Sequence, residues 1–282
     1  MSNSTWRWPV VPIGGPQSLD LTGSDVILSR GLPTFRTCDT NRSRIACRFP
    51  EYFVERWGWK PSTRRFVAQL YGCHLDCAYC SIHLEGVWGR HTGYSTAGLI
   101  TEFTCIQDFN WAHQDTIDTL DTFHLSGGAP ELYMGMWPAL IESLKENARE
   151  QTAFHSDLTL SAHRYQSNTL NQLQTLKRNC MFAVNVKGWS PDEYFRLTRK
   201  KQFNPALMLD NLEALLGWGI PLYITYTGMA EDSIDRFEQA AAKRVEGWGE
   251  HINRWRIPIH AYNAMNVTST AQWGTEFVPG SG

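Results

Sequence analysis

Three closely spaced cysteines in the stretch YGCHLDCAYCSIH (71–83) are the residues best suited to chemistry. Cys73, Cys77 and Cys80 have the spacing C-x3-C-x2-C and offer three thiolates from one loop. A zinc ion would normally be closed by a fourth protein ligand, and His74 or His83 is near enough in sequence to supply it. A four-iron cluster would take three cysteines and leave its fourth iron open to an exogenous ligand. The spacing favours the cluster over zinc, with unliganded thiols a weaker third alternative.

Composition and charge limit the class of protein. The 282 residues are 42% hydrophobic and 19% charged, which is typical of a globular chain with one large domain or two small ones. The net charge of −2 shows no excess of positive charge of the kind expected for a nucleic-acid-binding protein. The basic run RLTRKK (196–201) is interpreted as a solvated helix end.

Cysteine usage and the terminal sequence indicate the compartment. Seven cysteines, an odd number and unevenly spaced, do not resemble a secreted disulfide framework. No apolar run approaches the ~18 residues of a membrane span, and MSNSTWRWP lacks the apolar core of a signal peptide. We therefore expect a cytoplasmic protein without a membrane partner.

Six candidate strands alternate with helical segments. The strands are predicted at 65–72, 122–128, 157–163, 182–188, 221–227 and 255–262, and the helices at 131–148, 167–179, 204–219 and 232–245. This alternation predicts an α/β fold with a parallel sheet, either open and doubly wound or curved into a barrel. Ligands bind at the carboxyl ends of the strands in both cases.

Polar clusters follow five of these strands at that edge. The cysteine loop begins one residue after the first strand, and SGGAPE, SAHR, VKG and IPIHAYN close the second, third, fourth and sixth strands. We therefore expect all five clusters on one rim of the sheet.

The cysteine loop resembles that of the radical S-adenosylmethionine (SAM) superfamily, because it has the form C-x3-C-x-aromatic-C with Tyr79 as the aromatic residue. The likeness extends over 65–263. SGGAPEL resembles the Gly-Gly-Glu-Pro motif of that superfamily, with Ala129 in place of Glu. VNVKG and the following WSPDEYFRLT are similar to the Asp-x-Lys segment of glycyl-radical-enzyme activating enzymes, with Asn185 in place of Asp. NLEALLGWGIPLYITYT resembles their next helix and strand, and RIPIH resembles their final strand, which carries Pro-x-His.

The resemblance implies a partial (βα)6 barrel and a definite activity. Cys73, Cys77 and Cys80 would ligate a [4Fe-4S] cluster, and the amino and carboxylate groups of SAM would bind its open iron. Reductive cleavage of SAM would give methionine and a 5'-deoxyadenosyl radical that removes a hydrogen atom from an unidentified small molecule or peptide. A separate protein such as flavodoxin or ferredoxin would supply the electron. The implied SAM contacts are Tyr79, Gly127, Gly128, Ala129, Ser161, His163, Lys187 and His260.

Each of these contacts has a structural alternative. Gly127 and Gly128 allow backbone to approach a ligand closely, but they would also serve in a turn that joins strand to helix. Lys187 ends an apolar run where SAM's carboxylate would suit its ammonium group, although a solvent-exposed lysine is nearly as plausible. His260 would equally suit a core or rim histidine. Polar residues are common at the ends of strands, so Ser161, His163 and Arg164 could occupy such positions without contacting SAM.

The remaining regions carry weaker predictions. Residues 1–64 are expected to be a loop-rich extension with one short helix near EYFVERW, and 264–282 a flexible tail.

Cys38 and Cys47 are too sparse for a second cluster, whereas Cys105 and Cys180 are expected in helical segments as small buried hydrophobes. Three tryptophans lie near the cysteine loop in sequence: Trp57, Trp59 and Trp88. They could exclude water from the site, but we expect them mainly to pack in the hydrophobic core.

Two other functions stay open at this point. The chain could activate a partner protein by installing a glycyl radical, although the extension, Ala129 and Asn185 point mildly away from that function. It could also be a non-catalytic zinc protein that uses the three cysteines and His83.

Overall fold

The computed structural model describes residues 7–10, 36–39, 49–61, 64–77, 79–80, 92–112, 114, 119–161, 165, 171–172, 179–217, 219–249 and 252–257. Some of the sequence predictions lie outside these ranges: those for Cys47, His83, Trp88, His163, Arg164, His260, the tail 264–282 and most of the helix at 167–179.

The described strands form two sheets. The small sheet pairs β1 (Trp8–Val10) with β4 (Thr92–Tyr94) in antiparallel fashion. The main sheet has seven strands, which lie side by side in chain order: β2 (Arg36–Asp39), β3 (Arg64–Gln69), β5 (Thr122–Ser126), β6 (Ala153–Leu160), β7 (Cys180–Val186), β8 (Leu222–Thr227) and β9 (Arg254–Ile257).

The order of the main sheet decides between the two predicted architectures. Strands β3 and β5 to β9 are all parallel, and each pairs with the next along the chain. A doubly wound sheet reverses its strand order at a switch point, and no such reversal occurs in the described strands. The predicted α/β class with six parallel strands is confirmed, and the sequential order is consistent with a partial barrel. Strand β2, antiparallel at the edge, was not predicted.

The described helices are α1 (Phe49–Trp57), α2 (Thr96–Ala112), α3 (Trp137–Asn147), α4 (Pro191–Thr198), α5 (Pro205–Gly217) and α6 (Glu231–Arg244), with a 3-10 helix at Pro130–Met136 before α3. Helix α1 is the short helix expected near EYFVERW. The helix predicted at 131–148 divides into the 3-10 helix and α3. None of the described helices combines the length and the apolar character needed to span a bilayer.

Two predictions about element boundaries were wrong. The third strand of the barrel begins at Ala153 rather than at 157, because the buried residues Ala153–Ser156 already pair with β5. Cys180 does not lie in a helical segment; it opens β7, where it is buried as a small hydrophobe. Cys105 lies in the helix α2, as predicted, but it is half-buried rather than buried.

The two faces of the sheet are covered differently. The outer face packs Phe66, Phe123 and Phe154 against helices, with Phe103 of α2 and Trp137 of α3 in the same core.

A second, smaller cluster lies on the inner face. Tyr52 and Phe53 of α1 pack there with Met181, Ala183 and Tyr223. Trp57 and Trp59 pack against this cluster, as predicted.

Candidate metal and cofactor site

The loop that carries the three cysteines is attached to its surroundings through backbone hydrogen bonds. Leu70 N–H donates to Ser126 O (2.8 Å) at the end of β5, and Tyr71 N–H donates to Pro9 O (2.9 Å) in β1. Between the first two cysteines, Asp76 N–H donates to Thr198 O (3.1 Å) at the end of α4. The loop is therefore held at the carboxyl edge of the parallel sheet, where the sequence predicted it.

The three thiols of the loop, those of Cys73, Cys77 and Cys80, form no disulfide, and each is half-buried. The Sγ of Cys73 accepts a hydrogen bond from Leu75 N–H (3.4 Å). Burial, together with the charge of Glu131 and the neighbouring thiols, raises the pKa of Cys73 to about 12. A bound metal cation would supply the charge that stabilises the thiolate, so this donor set fits a metal centre.

One group of three possible metal ligands in the described ranges has donor atoms within 4.8 Å of one another, namely His124, His155 and Asp157.

The Gly-Gly turn after β5 packs against the start of the cysteine loop. Gly127 and Gly128 have positive φ (67° and 50°), and a Cβ on Gly128 would lie 2.3 Å from Gly72 O. Ala129 N–H donates to that same oxygen (2.8 Å). The turn needs glycine for this close approach, which supports the structural alternative for these residues. Contact of Gly127, Gly128 and Ala129 with SAM stays a prediction.

Lys187 and Ser161 lie together at the carboxyl edge, because Leu160 of β6 pairs with Val186 of β7. Lys187 Nζ donates to the hydroxyl of Tyr79 (3.3 Å) and lies 5.0 Å from the centre of its ring. Ser161 Oγ lies 2.7 Å from His74 Nε2. Both predicted residues therefore contact side chains of the cysteine loop. Their contact with SAM, like that of Tyr79, stays a prediction.

Glu131 is a buried acidic residue beside the cysteine loop that the sequence analysis did not single out. Its side chain is buried, and Oε1 lies 3.5 Å from His74 Nε2. Burial raises the pKa of Glu131 to about 8. The motif lacks a carboxylate at Ala129, yet one stands two residues later, beside the cysteine loop. The signal was an acidic residue directly after Pro130, at the start of a helix.

Asn185 faces the inner side of the sheet. Its Oδ1 accepts hydrogen bonds from the hydroxyl groups of Thr225 and Thr227 on β8. These cross-strand contacts fix the amide, so Asn185 supports the inner face directly below Lys187.

A buried polar network on the inner face was also missed. The Asp157 carboxylate accepts hydrogen bonds from Ser126 Oγ (2.8 Å) and His124 Nε2 (3.1 Å), and Arg65 Nη1 lies 3.5 Å from His124 Nδ1. Burial would raise the pKa of Asp157, but His124 and Ser126 outweigh burial and hold that pKa well below its usual range. The carboxylate is therefore a persistent anion inside the sheet.

The same network determines the protonation of its histidines. A guanidinium group can only donate, so Nδ1 of His124 is the acceptor and Nε2 carries the proton given to Asp157. Burial, the largest effect, holds the pKa of His155 well below its usual value, and its Nε2 lies 3.0 Å from Tyr223 Oη. The neighbouring arginine makes this group a poor site for a metal cation. Polar residues at alternate positions in β5 and β6 were the available signal.

Comparison with known proteins finds likeness among solved structures. No family model matches the chain, and no curated protein matches it. The chain is similar to anSMEcpe with bound AdoMet (SAM), with a TM-score of 0.43 and 12% identity over 67% of this chain and 48% of that one. It is similar to the cobalamin-dependent S-adenosylmethionine radical enzyme OxsB, with a TM-score of 0.43 and 13% identity over 74% of this chain and 31% of that one.

A third similar structure is a radical SAM methyltransferase from Sphaerobacter thermophilus, with a TM-score of 0.40 and 13% identity over 69% of this chain and 66% of that one. The chain spans about half the length of anSMEcpe and about a third of OxsB. Radical SAM enzymes are thus among the solved structures to which this chain is similar, and the likeness concerns the fold.

Proposed function

We propose that this chain is a radical SAM enzyme that binds a [4Fe-4S] cluster at Cys73, Cys77 and Cys80. The observation that carries the proposal is the position of these thiols. They lie on one loop at the carboxyl edge of a sequentially ordered parallel sheet. Gly72 of this loop contacts the Gly-Gly turn, and Tyr79 contacts Lys187, which directly follows β7. When bound, the cluster would supply the electron for reductive cleavage of SAM to methionine and a 5'-deoxyadenosyl radical.

The chain's own residues would bind and orient SAM. Lys187 contacts Tyr79 of the cysteine loop, and its ammonium group would pair with the SAM carboxylate. The buried ring of Tyr79 holds that ammonium group in place through a hydrogen bond and a cation–π contact. His74, fixed by Ser161, and the buried Glu131 provide further polar atoms for the same ligand.

The substrate would lie against the inner face of the sheet, next to the site for SAM. That face carries the anionic Asp157 and the hydroxyl and amide groups around Asn185. These groups can orient a polar small molecule or peptide, and we propose no narrower substrate class. Formation of a glycyl radical on a partner protein stays a prediction, and no contact in the described residues favours it.

Anaerobic reconstitution with iron and sulfide tests this proposal. We expect roughly four iron atoms per chain, bleaching of the brown protein by a strong reductant, and conversion of SAM to 5'-deoxyadenosine. Colourless protein that binds one zinc ion per chain and leaves SAM intact would contradict the proposal and support a non-catalytic zinc protein instead.

A further inference from the structure

A basic surface beside the cysteine loop is the strongest feature that the proposed function leaves unused. It is formed by the exposed side of α4 and the segment that follows, with Asp192, Phe195, Arg196, Arg199, Lys200 and Lys201. We call it the α4 surface. Four of its six residues are basic and one is acidic, although the whole chain has a net charge of −2.

The α4 surface lies one helix away from the candidate cluster. The opposite side of α4 carries the buried Tyr194. Thr198, at the end of the same helix, accepts the hydrogen bond from Asp76 in the cysteine loop. A helix is about 10 Å thick, so a protein bound on the outer side would come close to the cluster without entering the barrel.

The exposed apolar residue at its centre distinguishes this surface from an ordinary charged one. Phe195 is 47% exposed and is the most exposed large hydrophobic residue in the described ranges. Trp111, which is 42% exposed, is partly covered by the guanidinium of Arg149 at 4.5 Å. An aromatic residue surrounded by charges is a common composition for a protein-binding surface.

Two of these charges have no acidic partner among the described residues. Arg196 pairs with Glu193 at 3.7 Å and donates to Gly228 O (3.3 Å), whereas neither Lys200 nor Lys201 has a carboxylate oxygen within 4.0 Å in the described ranges. Other exposed arginines are neutralised within the chain, as Arg236 is by Asp232 (2.7 Å) and Arg256 by Glu231 (2.6 Å). The α4 surface therefore keeps a positive field that would attract an acidic protein.

We propose that the α4 surface docks the acidic, low-potential electron-donor protein that reduces the cluster. The proposal rests on the proposed function, because it assigns a partner to the same site. Positive charges would guide the donor to the surface, and Phe195 would contact an apolar area around its redox group. One electron would pass from the reduced donor to the oxidised cluster, with no bond formed or broken in that step.

Binding of a purified acidic flavodoxin to the reconstituted protein tests the docking directly. We expect the double variant Lys200→Glu/Lys201→Glu to weaken the flavodoxin Kd about tenfold or more at low ionic strength, and added salt to reduce the difference. Phe195→Ala should weaken binding with little change in the salt dependence. The matched control is Lys145→Glu/Lys243→Glu, which reverses two exposed charges in the last turns of α3 and α6 and should bind like the unchanged chain.

A rate measurement with two reductants separates docking from chemistry. Reduced flavodoxin should drive 5'-deoxyadenosine formation more slowly in the Lys200→Glu/Lys201→Glu variant, whereas dithionite, which needs no docking surface, should drive it at the unchanged rate. Equal flavodoxin binding by the variant and the unchanged chain would overturn the docking proposal, and so would an equal loss of rate with both reductants.

Two further outcomes are distinguishable. Unchanged flavodoxin binding with lost binding of a labelled single-stranded RNA would overturn the proposal and assign the surface to nucleic acid. Absence of 5'-deoxyadenosine from the unchanged chain with dithionite would overturn the proposed function, and the electron-donor assignment with it.

Discussion

At the cysteine loop, burial makes ionisation of the Cys73 thiol unfavourable. A thiol with a pKa raised to about 12 is protonated at neutral pH, so Cys73 needs a metal cation nearby to become a ligand. Cys105 is also a cysteine, but it lies in α2, outside the cysteine loop. The two cysteines therefore allow a matched comparison.

Replacing a cysteine of the loop should remove the cluster. We expect Cys73→Ser, Cys77→Ser or Cys80→Ser each to abolish iron–sulfur absorbance and 5'-deoxyadenosine formation after reconstitution, because two thiolates cannot retain the cluster. Cys105→Ser should keep both. Iron content and visible absorbance check this prediction. Full iron content in a loop variant would contradict it.

Lys187 should contribute to SAM affinity through its charge. Lys187→Met keeps the length of the side chain but removes the ammonium group, so we expect SAM binding to weaken roughly tenfold to a hundredfold, the usual effect of losing a charged hydrogen bond. Equilibrium dialysis with labelled SAM measures this. Lys145→Met on the exposed side of α3 is the control. SAM affinity equal to that of the unchanged chain would show that Lys187 only packs on Tyr79.

Single residues were predictable where they follow a strand. Lys187 and Ser161 were placed correctly at the edge because an apolar run ended just before them. Glu131 and Asp157 were missed for a physical reason. Their importance depends on burial and on contacts with His74 and His124, which are distant in sequence.

Among the elements, the turn between β5 and the 3-10 helix is the most constrained. At Gly128, φ is +50° and a Cβ would lie 2.3 Å from Gly72 O, so Gly128→Ala must displace either the turn or the cysteine loop. We expect this change to lower the free energy of unfolding by about 2 kcal/mol or more. We also expect it to reduce iron incorporation. Urea denaturation and iron analysis provide the two measurements.

Gly217→Ala is the control for that prediction, because among the described residues no atom outside the adjacent residues and the backbone of α5 lies within 4 Å of the position of its Cβ. Its effect on the free energy of unfolding should stay below about 1 kcal/mol. Equal effects of the two alanine substitutions would show that the close packing of the turn is not required.

Element types were more predictable than element boundaries. Helices α5 and α6 were found within two residues because Pro205 begins one and acidic residues begin the other. The start of β6 was missed because His155 and Ser156 are polar, although both are buried. Strand β2 was missed because an antiparallel edge strand of four residues carries no strong pattern.

At the scale of the whole molecule, the carboxylate of Glu238 in α6 links this helix to the last two strands, β8 and β9. Glu238 accepts hydrogen bonds from Arg254 (2.6 and 3.0 Å), from Trp248 Nε1 (2.7 Å) and from the hydroxyl of Tyr226. Burial would raise the pKa of Glu238, but the hydrogen bonds from Arg254 and Tyr226 outweigh it and lower the pKa. This contact holds β8 and β9 at the end of the sheet.

Glu238→Gln should therefore destabilise the fold in a pH-dependent way. A carboxyl group whose pKa is lowered in the folded state stabilises that state above its unfolded pKa of about 4.5, and this contribution is lost as pH falls through the folded pKa. We expect a loss of about 1 to 3 kcal/mol at pH 7 that becomes smaller below about pH 4. Urea denaturation across pH measures it. Glu146→Gln on α3 is the exposed control, and a difference independent of pH would contradict the prediction.

The overall architecture could be predicted because each parallel strand carries its own apolar pattern and is followed by a helix. The choice between an open doubly wound sheet and a barrel could not be made from those patterns, since strand order depends on contacts between distant segments. The observed order of β3 and β5 to β9 has no switch point among the described strands, which excludes the doubly wound order there and is consistent with a partial barrel. That order also places Ser126, Ser161 and Lys187 at one edge.

The most direct test of the account asks whether SAM binds to iron held by the three cysteines. Electron–nuclear double resonance of the reduced, reconstituted protein with SAM labelled at its amino nitrogen and carboxylate oxygen makes this measurement. We predict hyperfine coupling from both labels, which Cys77→Ser abolishes. A cluster that shows no coupling to either label, or a metal bound by four protein side chains, would contradict the central claim.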